Sequence, residues 1–392
     1  MKQIKTFISV AALIHISAAF SLATNGDIME GIGPVSEALG GTGVAAPQDG
    51  LTALVNNPAG LAFTPNSDKT EISFGLTLFQ PTVKAKITTP AGRLSGNSDD
   101  PTSYIPFLSY SQPVGDNWNI AFGAYGVSGM GVDYRDKGWD LDGNPANGYE
   151  GDAFSKYSSL KLVPAASYKI TDAFSAGIAL HVNYSRLDLN QGDTDDLSAG
   201  AAIGAAYRIG AFQLGASYTT PQKSTFKKVY NFDAFMGDTQ KDNLTLEQPA
   251  TYAAGVAWNI TEDWLVEFNT KYLTWGDSEG YDDFDWQNQM VYAIGTQYRA
   301  TEKLVLRAGF NYAKNPVNEH SDWNPQGITE IQGKAVPTMG YELLRNIGFP
   351  AIVESHLTLG FGLNLTETLA VNVSYAHAFK KTIRSNSIGD AV

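Results

Sequence analysis

Few side chains in this chain could do catalytic or metal chemistry. Beyond residues 1–23 the histidines are His181, His320, His356 and His377, and they form neither a His-Glu-x-x-His motif nor a close ligand cluster. The chain has no cysteine, which excludes thiol chemistry and a disulfide framework. No nucleophile is paired with a base in an identifiable motif. The sequence therefore predicts no metal site, no cofactor, no catalytic residue and no enzyme activity.

The charged residues give a net negative charge and acidic clusters but no sign of catalysis. The chain has 27 lysines and arginines against 40 acids, a formal net charge of -13. This balance argues against nucleic-acid binding. The acids cluster in predicted loops, for example Asp193, Asp195 and Asp196 in one loop and residues 282–285 in another. Solvated loop tips explain these clusters, and binding of divalent cations is the alternative that the sequence leaves open.

The elements that must position any functional side chain are β-strands. Apolar residues fall on every second position from Leu357 to Leu365 and again from Leu369 to Tyr375, with small or polar residues between them. The same alternation occurs in segments 72–78, 264–272 and 304–312. Such alternation is typical of strands with one apolar face and one polar face. So many strands need a very large apolar environment, which predicts an all-β fold, a transmembrane antiparallel β-barrel.

The N-terminus has the pattern of an export signal. Lys2 and Lys5 precede an apolar run that closes on Ser21-Leu22-Ala23, so residues 1–23 are predicted to be a cleaved signal peptide. No later stretch approaches 18 apolar residues. Membrane insertion must then use a closed barrel, because only helices and barrels satisfy every backbone polar group in lipid.

The remaining chain divides into two predicted domains. Residues 24–69 lack sustained alternation and contain several glycines and the triplet Asn57-Pro58-Ala59, which predicts a compact N-terminal hatch, or plug. Residues 70–392 are predicted to form the barrel, with short polar turns such as Thr171-Asp172, Thr261-Glu262-Asp263 and Thr366-Glu367 alternating with long loops. The thirteen predicted strands lie at about 70–88, 102–113, 118–134, 155–169, 173–190, 198–208, 211–229, 243–259, 263–275, 288–300, 303–315, 350–365 and 368–384. Because bacterial barrels normally have an even number of strands, we expect about 14 and count the last strand as missing.

These features together resemble one family. The plug run Ala38-Leu39-Gly40-Gly41-Thr42-Gly43, the Asn57-Pro58-Ala59 triplet before the first wall strand, the region from Gln248 to Trp275 and the run Tyr292-Ala293-Ile294-Gly295 are similar to the FadL/TodX family of outer-membrane transporters for long-chain fatty acids and other hydrophobic compounds. The resemblance implies a 14-stranded barrel in a Gram-negative outer membrane, plugged by the hatch. It also implies capture of cargo between extracellular loops and an internal site beside the N-terminus.

The resemblance further implies lateral exit through a kink in the third strand. The kink maps onto four glycines, Gly123, Gly126, Gly129 and Gly131. Glycines weaken strand pairing and permit bulges, which agrees with a lateral opening. The alternative is that these glycines relieve crowding against the hatch.

The predicted ligand-binding residues depart from the family pattern. Gln191 and Gln287 align with the family's basic residues that meet a fatty-acid carboxylate. Glutamine can hydrogen-bond a carboxyl group but cannot offset its charge, which favours neutral hydrophobic cargo. Lys161, His181 and Arg299, which we expect to face the lumen, could supply the charge instead.

The sequence therefore predicts passive uptake of long-chain fatty acids or other hydrophobic compounds across the outer membrane. The predicted partners are outer-membrane lipid, lipopolysaccharide and the cargo itself, with the chain acting as a monomer. Two alternatives stay open at this stage, a general aqueous porin and a structural or adhesion barrel. The apolar side chains within segment 24–69 argue against an open aqueous channel, because an apolar plug would obstruct the flow of water.

Overall fold

The computed structural model describes residues 12–21, 24–89, 92–99, 102–137 and 153–387. The strands in chain order are β1 (Ala12–Ser21), β2 (Thr24–Asn25), β3 (Ile28–Met29), β4 (Thr70–Phe79), β5 (Lys84–Thr89), β6 (Gly92–Asn97), β7 (Ser103–Val114), β8 (Trp118–Asp133), β9 (Phe154–Lys169), β10 (Phe174–Asp188), β11 (Asp193–Ile209), β12 (Phe212–Thr219), β13 (Gln222–Tyr230), β14 (Asp242–Gln248), β15 (Thr251–Asn259), β16 (Trp264–Leu273), β17 (Gln289–Arg299), β18 (Leu304–Ala313), β19 (Ile328–Ile331), β20 (Lys334–Pro337), β21 (Ser355–Asn364) and β22 (Leu369–Ala378).

The helices are short. They are α1 (Gly33–Ala38), α2 (Gly50–Asn56) and α3 (Thr338–Leu343), with a 3-10 helix at Pro58–Phe63 and a π-helical turn at Leu344–Gly348 that continues α3. Further 3-10 turns occur at Arg135–Lys137, Ala234–Met236 and Trp275–Asp277. Among the described residues no helix is long and apolar enough to cross a membrane.

Fourteen strands form a ring. Their order is β8-β7-β4-β1-β22-β21-β18-β17-β16-β15-β12-β11-β10-β9, and β9 pairs back onto β8. Thirteen of them are the predicted wall strands, and neighbours among those thirteen are antiparallel. The position between the first and last of these strands is taken by β1, which lies within the predicted signal peptide and runs parallel to both β4 and β22.

The outer face of the ring is apolar. In β10 the side chains of Ile178, Leu180, Val182 and Tyr184 are exposed, whereas the residues between them are buried. The same alternation along the other wall strands places exposed aromatic rings near both rims, for example Trp118 against Tyr168 with ring centroids 4.8 Å apart and Tyr218 against Tyr252 at 4.8 Å. An apolar band with aromatic girdles is what a barrel in lipid requires.

The turns at one rim are short and share a local hydrogen bond from the backbone to a threonine side chain. In four of them a threonine hydroxyl accepts a backbone N–H two or three residues further along, and these threonines are Thr171, Thr261, Thr301 and Thr366. Such local bonds to the backbone stabilise tight turns. Because short turns face the periplasm in this kind of barrel, this rim is the periplasmic one and the long loops face outside.

Residues 24–64 lie inside the ring and are almost entirely buried. The plug approaches the wall closely at three cross-strand glycine pairs, Gly177 with Gly204, Gly215 with Gly255 and Gly295 with Gly309. A Cβ atom on any of these glycines would lie within 2.5 Å of a plug atom or of a neighbouring wall side chain. Side chains at these positions would therefore push the plug away from the wall.

Polar side chains fasten the plug to the wall. The Asn57 amide nitrogen donates to the Val44 carbonyl at 2.8 Å and to the Ala205 carbonyl of β11 at 3.0 Å. Glu267 of β16 accepts backbone N–H groups from plug residues Gly43, Ala45 and Ala46, with the Ala45 bond at 2.8 Å. These bonds satisfy buried plug backbone groups that could not otherwise reach water.

Three predicted strands prove to be composite. The predicted strand at 70–88 is β4 followed by most of β5, the one at 211–229 is β12 followed by β13, and the one at 243–259 is β14 followed by β15. The hairpin β13–β14 extends beyond the ring as a separate two-stranded sheet, as does the hairpin β5–β6. Alternation continues through these outer hairpins because they too have one packed face, so the pattern alone gives no boundary between wall and loop.

Candidate functional site

The wall is interrupted between β7 and β8. Pairing of these strands runs from Val114 with Trp118 to Phe107 with Tyr125 and ends there, although β8 continues to Asp133. On its other side β8 stays paired with β9, but the register shifts between Gly126 and Ser128, so Val127 is an extra residue in β8. A bulge of this kind bends the strand away from its neighbour. The outer half of β8 therefore lacks β7 as a partner.

Part of the plug takes the place that β7 leaves. Ile28 of β3 pairs with Ser128, and the Gly129 N–H donates to the Asp27 carbonyl at 3.3 Å. The side chain of Ile105 lies over Gly126, where a Cβ atom would come within 2.4 Å of its Cγ2. The plug hairpin β2–β3 and Ile105 thus cover the interruption from inside the barrel. We call residues 24–29 the gate hairpin.

A polar cluster lies inside the barrel beside the gate hairpin. Lys161 of β9 donates to the side-chain oxygen Oε1 of Gln222 at 2.7 Å, and the Asn183 side-chain amide donates to the same oxygen at 3.0 Å. His181, two residues from Asn183 on the same face of β10, is buried, and its ring nitrogens have no hydrogen-bond partner among the described residues. The predicted residues Lys161 and His181 are therefore brought together at one interior site.

Asp27 connects this cluster to the gate hairpin. Its carboxylate accepts a hydrogen bond from the Tyr281 hydroxyl and faces the positive charge of Lys161. Burial raises the pKa of Asp27 to about 6, and the bond from Tyr281 and the charge of Lys161 only partly oppose this rise. The Asp27 carboxyl group is thus half-protonated at about pH 6.

Aromatic side chains pack next to the polar cluster on the extracellular side. Trp275, Tyr281 and Trp286 are buried, with ring centroids 4.6 to 5.1 Å apart. They belong to one apolar cluster that also includes Tyr157 and Phe226. The arrangement offers an apolar surface beside a small set of polar groups, which is the usual composition of a small-molecule site. Sequence reasoning missed these aromatics because their segment was interpreted as an acidic loop.

Residues 8–194 and 188–324 match the sequence profile of a family described as outer membrane protein transport protein (OMPP1/FadL/TodX). The chain belongs to this family. Family members are β-barrel proteins of the Gram-negative outer membrane and are transport proteins rather than enzymes, which places this chain in that membrane. The resemblance stated from the sequence is thereby confirmed.

Solved structures share the fold. The toluene transporter TodX of P. putida is 20% identical, with a TM-score of 0.64 over 90% of this chain and 93% of that one. A Pseudomonas aeruginosa FadL homologue is 15% identical, with a TM-score of 0.63 over 91% of each chain. The toluene transporter TbuX of Ralstonia pickettii is 18% identical, with a TM-score of 0.60 over 90% of this chain and 94% of that one.

One curated relative matches a shorter region. An uncharacterized protein in the 5' region of the phosphoenolpyruvate carboxykinase gene of Chlorobium limicola is 43% identical over 75 residues. The match covers 19% of this chain and 36% of that protein. The chain thus matches little more than a third of the length of this relative.

The other residues predicted to bind ligand lie away from the interior cluster. Gln191 is in the β10–β11 loop, where its side-chain oxygen accepts the Asn231 N–H at 3.1 Å. Gln287 is exposed in the β16–β17 loop, and its backbone N–H donates to the Pro316 carbonyl at 2.7 Å. Arg299 is at the periplasmic end of β17, 3.5 Å from Asp263, in a cleft of about 360 Å³. Their role in ligand binding stays a prediction.

The acidic loops take part in local ion pairs. Asp193 pairs with Arg186, and Asp285 pairs with His320 at 2.8 Å. Among the described residues no group of three or more histidines, aspartates and glutamates is arranged to hold a metal ion.

Proposed function

We propose that this chain is a channel for passive, non-enzymatic uptake of hydrophobic compounds across the outer membrane, with lateral release through the wall beside β8. The observation that carries the proposal is the end of β7–β8 pairing at Tyr125 while β8 continues for eight more residues. The cargo is a long-chain fatty acid or another hydrophobic compound, and the toluene of the TodX and TbuX names supports monoaromatic hydrocarbons as a candidate class.

Capture begins at the extracellular loops. The turn between β13 and β14 presents Phe235 and Met236, which are 49% and 67% exposed at the tip of a hairpin outside the ring. Exposed side chains of this size can bury part of a hydrophobic molecule, at roughly 25 cal/mol per Å² of apolar surface removed from water. Cargo then moves inward along the apolar cluster that includes Trp275 and Trp286.

The interior site contacts the two chemically different ends of the cargo. An apolar body contacts the aromatic rings, and a polar head, where there is one, lies near Lys161, His181 and Gln222. The buried ring nitrogens of His181 could accept or donate a bond to such a head. An uncharged molecule such as toluene needs only the aromatic part of the site.

Release follows displacement of the gate hairpin. Among the described residues, its backbone contacts with β8 are the pairing of Ile28 with Ser128 and the hydrogen bond from the Gly129 N–H to the Asp27 carbonyl. Movement of this short hairpin exposes the side of β8 that β7 leaves unpaired. Cargo can then pass between the strands into the lipid, which avoids transfer of an apolar molecule into the aqueous periplasm.

Uptake by cells that carry the protein in their outer membrane tests the proposal. Radiolabelled toluene and laurate should enter faster than in cells without it, and Gly129→Val with Gly131→Val should reduce uptake because β-branched residues favour regular strand pairing. A Cβ atom on Gly129 has room, since its nearest neighbour is the Tyr157 carbonyl oxygen at 3.7 Å. Equal uptake with and without the protein would contradict the function, and full uptake by the double variant would contradict the route. Liposome swelling in small sugars provides the control for an aqueous pore.

A further inference from the structure

A lid covers the extracellular mouth of the barrel. It consists of residues 314–354, between β18 and β21, and it includes the hairpin β19–β20 and helix α3. Ile331, Val336, Tyr341 and Phe349 of the lid are buried in the same apolar cluster as Trp275 and Trp286. Phe349 packs on Phe284 with ring centroids 5.3 Å apart.

One histidine joins the lid to the neighbouring loop through two carboxylates. The Nδ1 atom of His320 is 2.5 Å from Oε1 of Glu342, and the Nε2 atom is 2.8 Å from Oδ2 of Asp285. Glu342 is in α3, and Asp285 is in the loop between β16 and β17. Carboxylates accept hydrogen bonds, and a neutral imidazole has a single N–H group. With both carboxyl groups ionised, both contacts are therefore hydrogen bonds only when His320 carries two protons and a positive charge.

Glu342 and its partner Arg345 are buried, whereas the Asp285 side chain is about half exposed. Glu342 also accepts from Arg345 at 3.3 Å and from Ser385 at 2.7 Å, and Arg345 is fully buried. Arg345 in turn donates to the Phe284 carbonyl at 3.1 Å and to the Asn318 carbonyl at 2.8 Å. The group thus links the lid, the β16–β17 loop and the segment after β22.

The other groups that face His320 make hydrogen bonds that are independent of its protonation state. Tyr341 stacks on the imidazole with ring centroids 6.4 Å apart, and its hydroxyl donates to the Asp283 carbonyl. The backbone N–H of Arg384 donates to Glu319, and that of Asn386 donates to the His320 carbonyl. None of these bonds depends on the charge of the imidazole.

We propose that His320 is a pH-sensitive clasp that holds the lid over the barrel mouth, and that loss of its second proton loosens the lid and speeds the admission of cargo. Deprotonation removes the hydrogen bond to one of the two carboxylates and leaves that oxygen facing a lone pair. The consequence for cargo rests on the proposed function, whereas the consequence for the lid does not.

The direction of the pH dependence follows from the groups involved. The imidazolium form is lost as the pH rises, so the clasp is closed at mildly acidic pH and loosened at alkaline pH. Partial burial opposes ionisation of Asp285, but the bonds from His320 and Asn318 outweigh it and hold the pKa of Asp285 below its usual value. The Asp285 side of the clasp therefore opens only when the pH falls below the range in which aspartates ordinarily titrate.

Hydrogen exchange of the full-length chain in detergent tests the clasp. After correction for intrinsic exchange, amides of residues 338–348 should exchange about tenfold faster at about pH 8.5 than at about pH 5.5, the effect of losing one charge-assisted hydrogen bond. His320→Gln should abolish this difference. His377→Gln is the matched control, since His377 is exposed at the outer rim against Phe379, and it should keep the difference.

A second variant keeps the test informative if His320→Gln fails to fold. Asp285→Asn removes one of the two charges that favour the imidazolium, so the exchange transition should move toward acid. Exchange that is equal at the two pH values in the unmodified protein, or a pH difference that survives His320→Gln, would overturn the clasp.

Toluene uptake should rise as the pH is raised over the same range. Uptake that stays flat while the lid loosens would overturn the link to cargo, whereas no uptake at any pH would contradict the proposed function instead.

Discussion

In the proposed function, Lys161 is a cation that an acidic cargo would meet inside the barrel. It donates to Gln222 at 2.7 Å and faces Asp27, so its charge is partly offset before cargo arrives. A fatty-acid carboxylate must compete with Asp27 for this charge, whereas a hydrocarbon need not. The site therefore accommodates neutral cargo without displacing any internal partner.

Replacement of Lys161 should separate the two cargo classes. Lys161→Met is expected to weaken binding of laurate by about tenfold and to leave toluene binding nearly unchanged, because only the acid uses the charge. Quenching of tryptophan fluorescence in the purified protein measures both affinities. Gln287→Lys is the matched control. Although the family alignment predicts that it increases preference for the acid, its exposed position outside the cluster leads us to expect no change.

Asp27 should make the gate hairpin sensitive to pH. Burial raises the pKa of the Asp27 carboxyl to about 6, so its protonated form stabilises the attached hairpin. This stabilisation is complete below the ordinary aspartate pKa, and up to roughly 3 kcal/mol of it is lost as the pH rises through about 6. Hydrogen exchange of residues 24–29 at about pH 4.5 and 7.5 measures this loss. Asp27→Asn should remove the pH dependence. A pH-dependent exchange rate that persists in the variant would assign the effect to another group.

At the residue scale, the interior position of a predicted residue could be read from the sequence where a strand carried it, although Arg299 at the end of β17 lies at the periplasmic rim. Lys161 and His181 lie in strands, and the period of two predicts which face of the wall they occupy. Gln191 and Gln287 lie in loops, which have no such period. Family alignment could place them in the chain but not in space. The aromatic residues from Trp275 to Trp286 were missed for the same reason, since three nearby aspartates dominated the interpretation of that loop.

The plug is held at the element scale by backbone contacts that require small residues on the wall. Asn57 lies where the 3-10 helix begins and bonds both the plug and β11. Gly204 faces it, and a Cβ atom there would lie 1.9 Å from the Asn57 side-chain oxygen. At the predicted hatch motif, a larger side chain on the wall would therefore clash with the plug, and a larger side chain on the plug would clash with the wall.

Asn57→Ala should loosen the plug without preventing barrel assembly. It removes two donated bonds and one accepted bond from a buried position, a loss of about 3 kcal/mol of plug attachment. Protease cleavage within residues 24–64 of the inserted protein should become faster, and uptake of toluene should fall as in replacement of the whole Asn57-Pro58-Ala59 triplet. An inserted variant with unchanged cleavage and uptake would contradict the assigned role.

The wall strands were predictable as elements, and their ends were not. All thirteen predicted wall strands are present, and the short turns at Thr171, Thr261 and Thr366 fall where the sequence placed them. The boundary between β12 and β13 was not visible, because the outer hairpin keeps one packed face and hence the same alternation. Three of the four glycines predicted to form the kink, Gly126, Gly129 and Gly131, lie in the part of β8 that β7 leaves unpaired. The placement of Gly123 there was wrong, because Gly123 pairs with Ser109 of β7 and Val163 of β9. The part of the plug that covers the interruption could not be predicted, since residues 24–29 carry no periodic signal.

At the scale of the whole molecule the ring has one unusual position. Its first and last predicted strands, β4 and β22, are separated by β1, which runs parallel to both. We propose that residues 1–23 are a signal peptide removed on export, in which case β1 does not remain in the wall. Mass spectrometry of the protein purified from outer membranes should then find Thr24 as the first residue. A protein that retains Ala12–Ser21 would contradict the leader assignment.

The central proposal, lateral release beside β8, can be tested by closing the interruption chemically. The chain has no cysteine, and an ideal Cβ atom on Gly126 lies 3.8 Å from the Cβ of Ile105, a separation typical of disulfides. In the double variant Ile105→Cys with Gly126→Cys, oxidation should fasten β7 to β8 beyond the last natural pair, with the single variants as controls. Toluene binding to the purified protein should persist in the oxidised form. Uptake by cells should fall sharply and return on reduction, whereas uptake at the same rate in both states would contradict lateral release and favour passage past the plug to the periplasm.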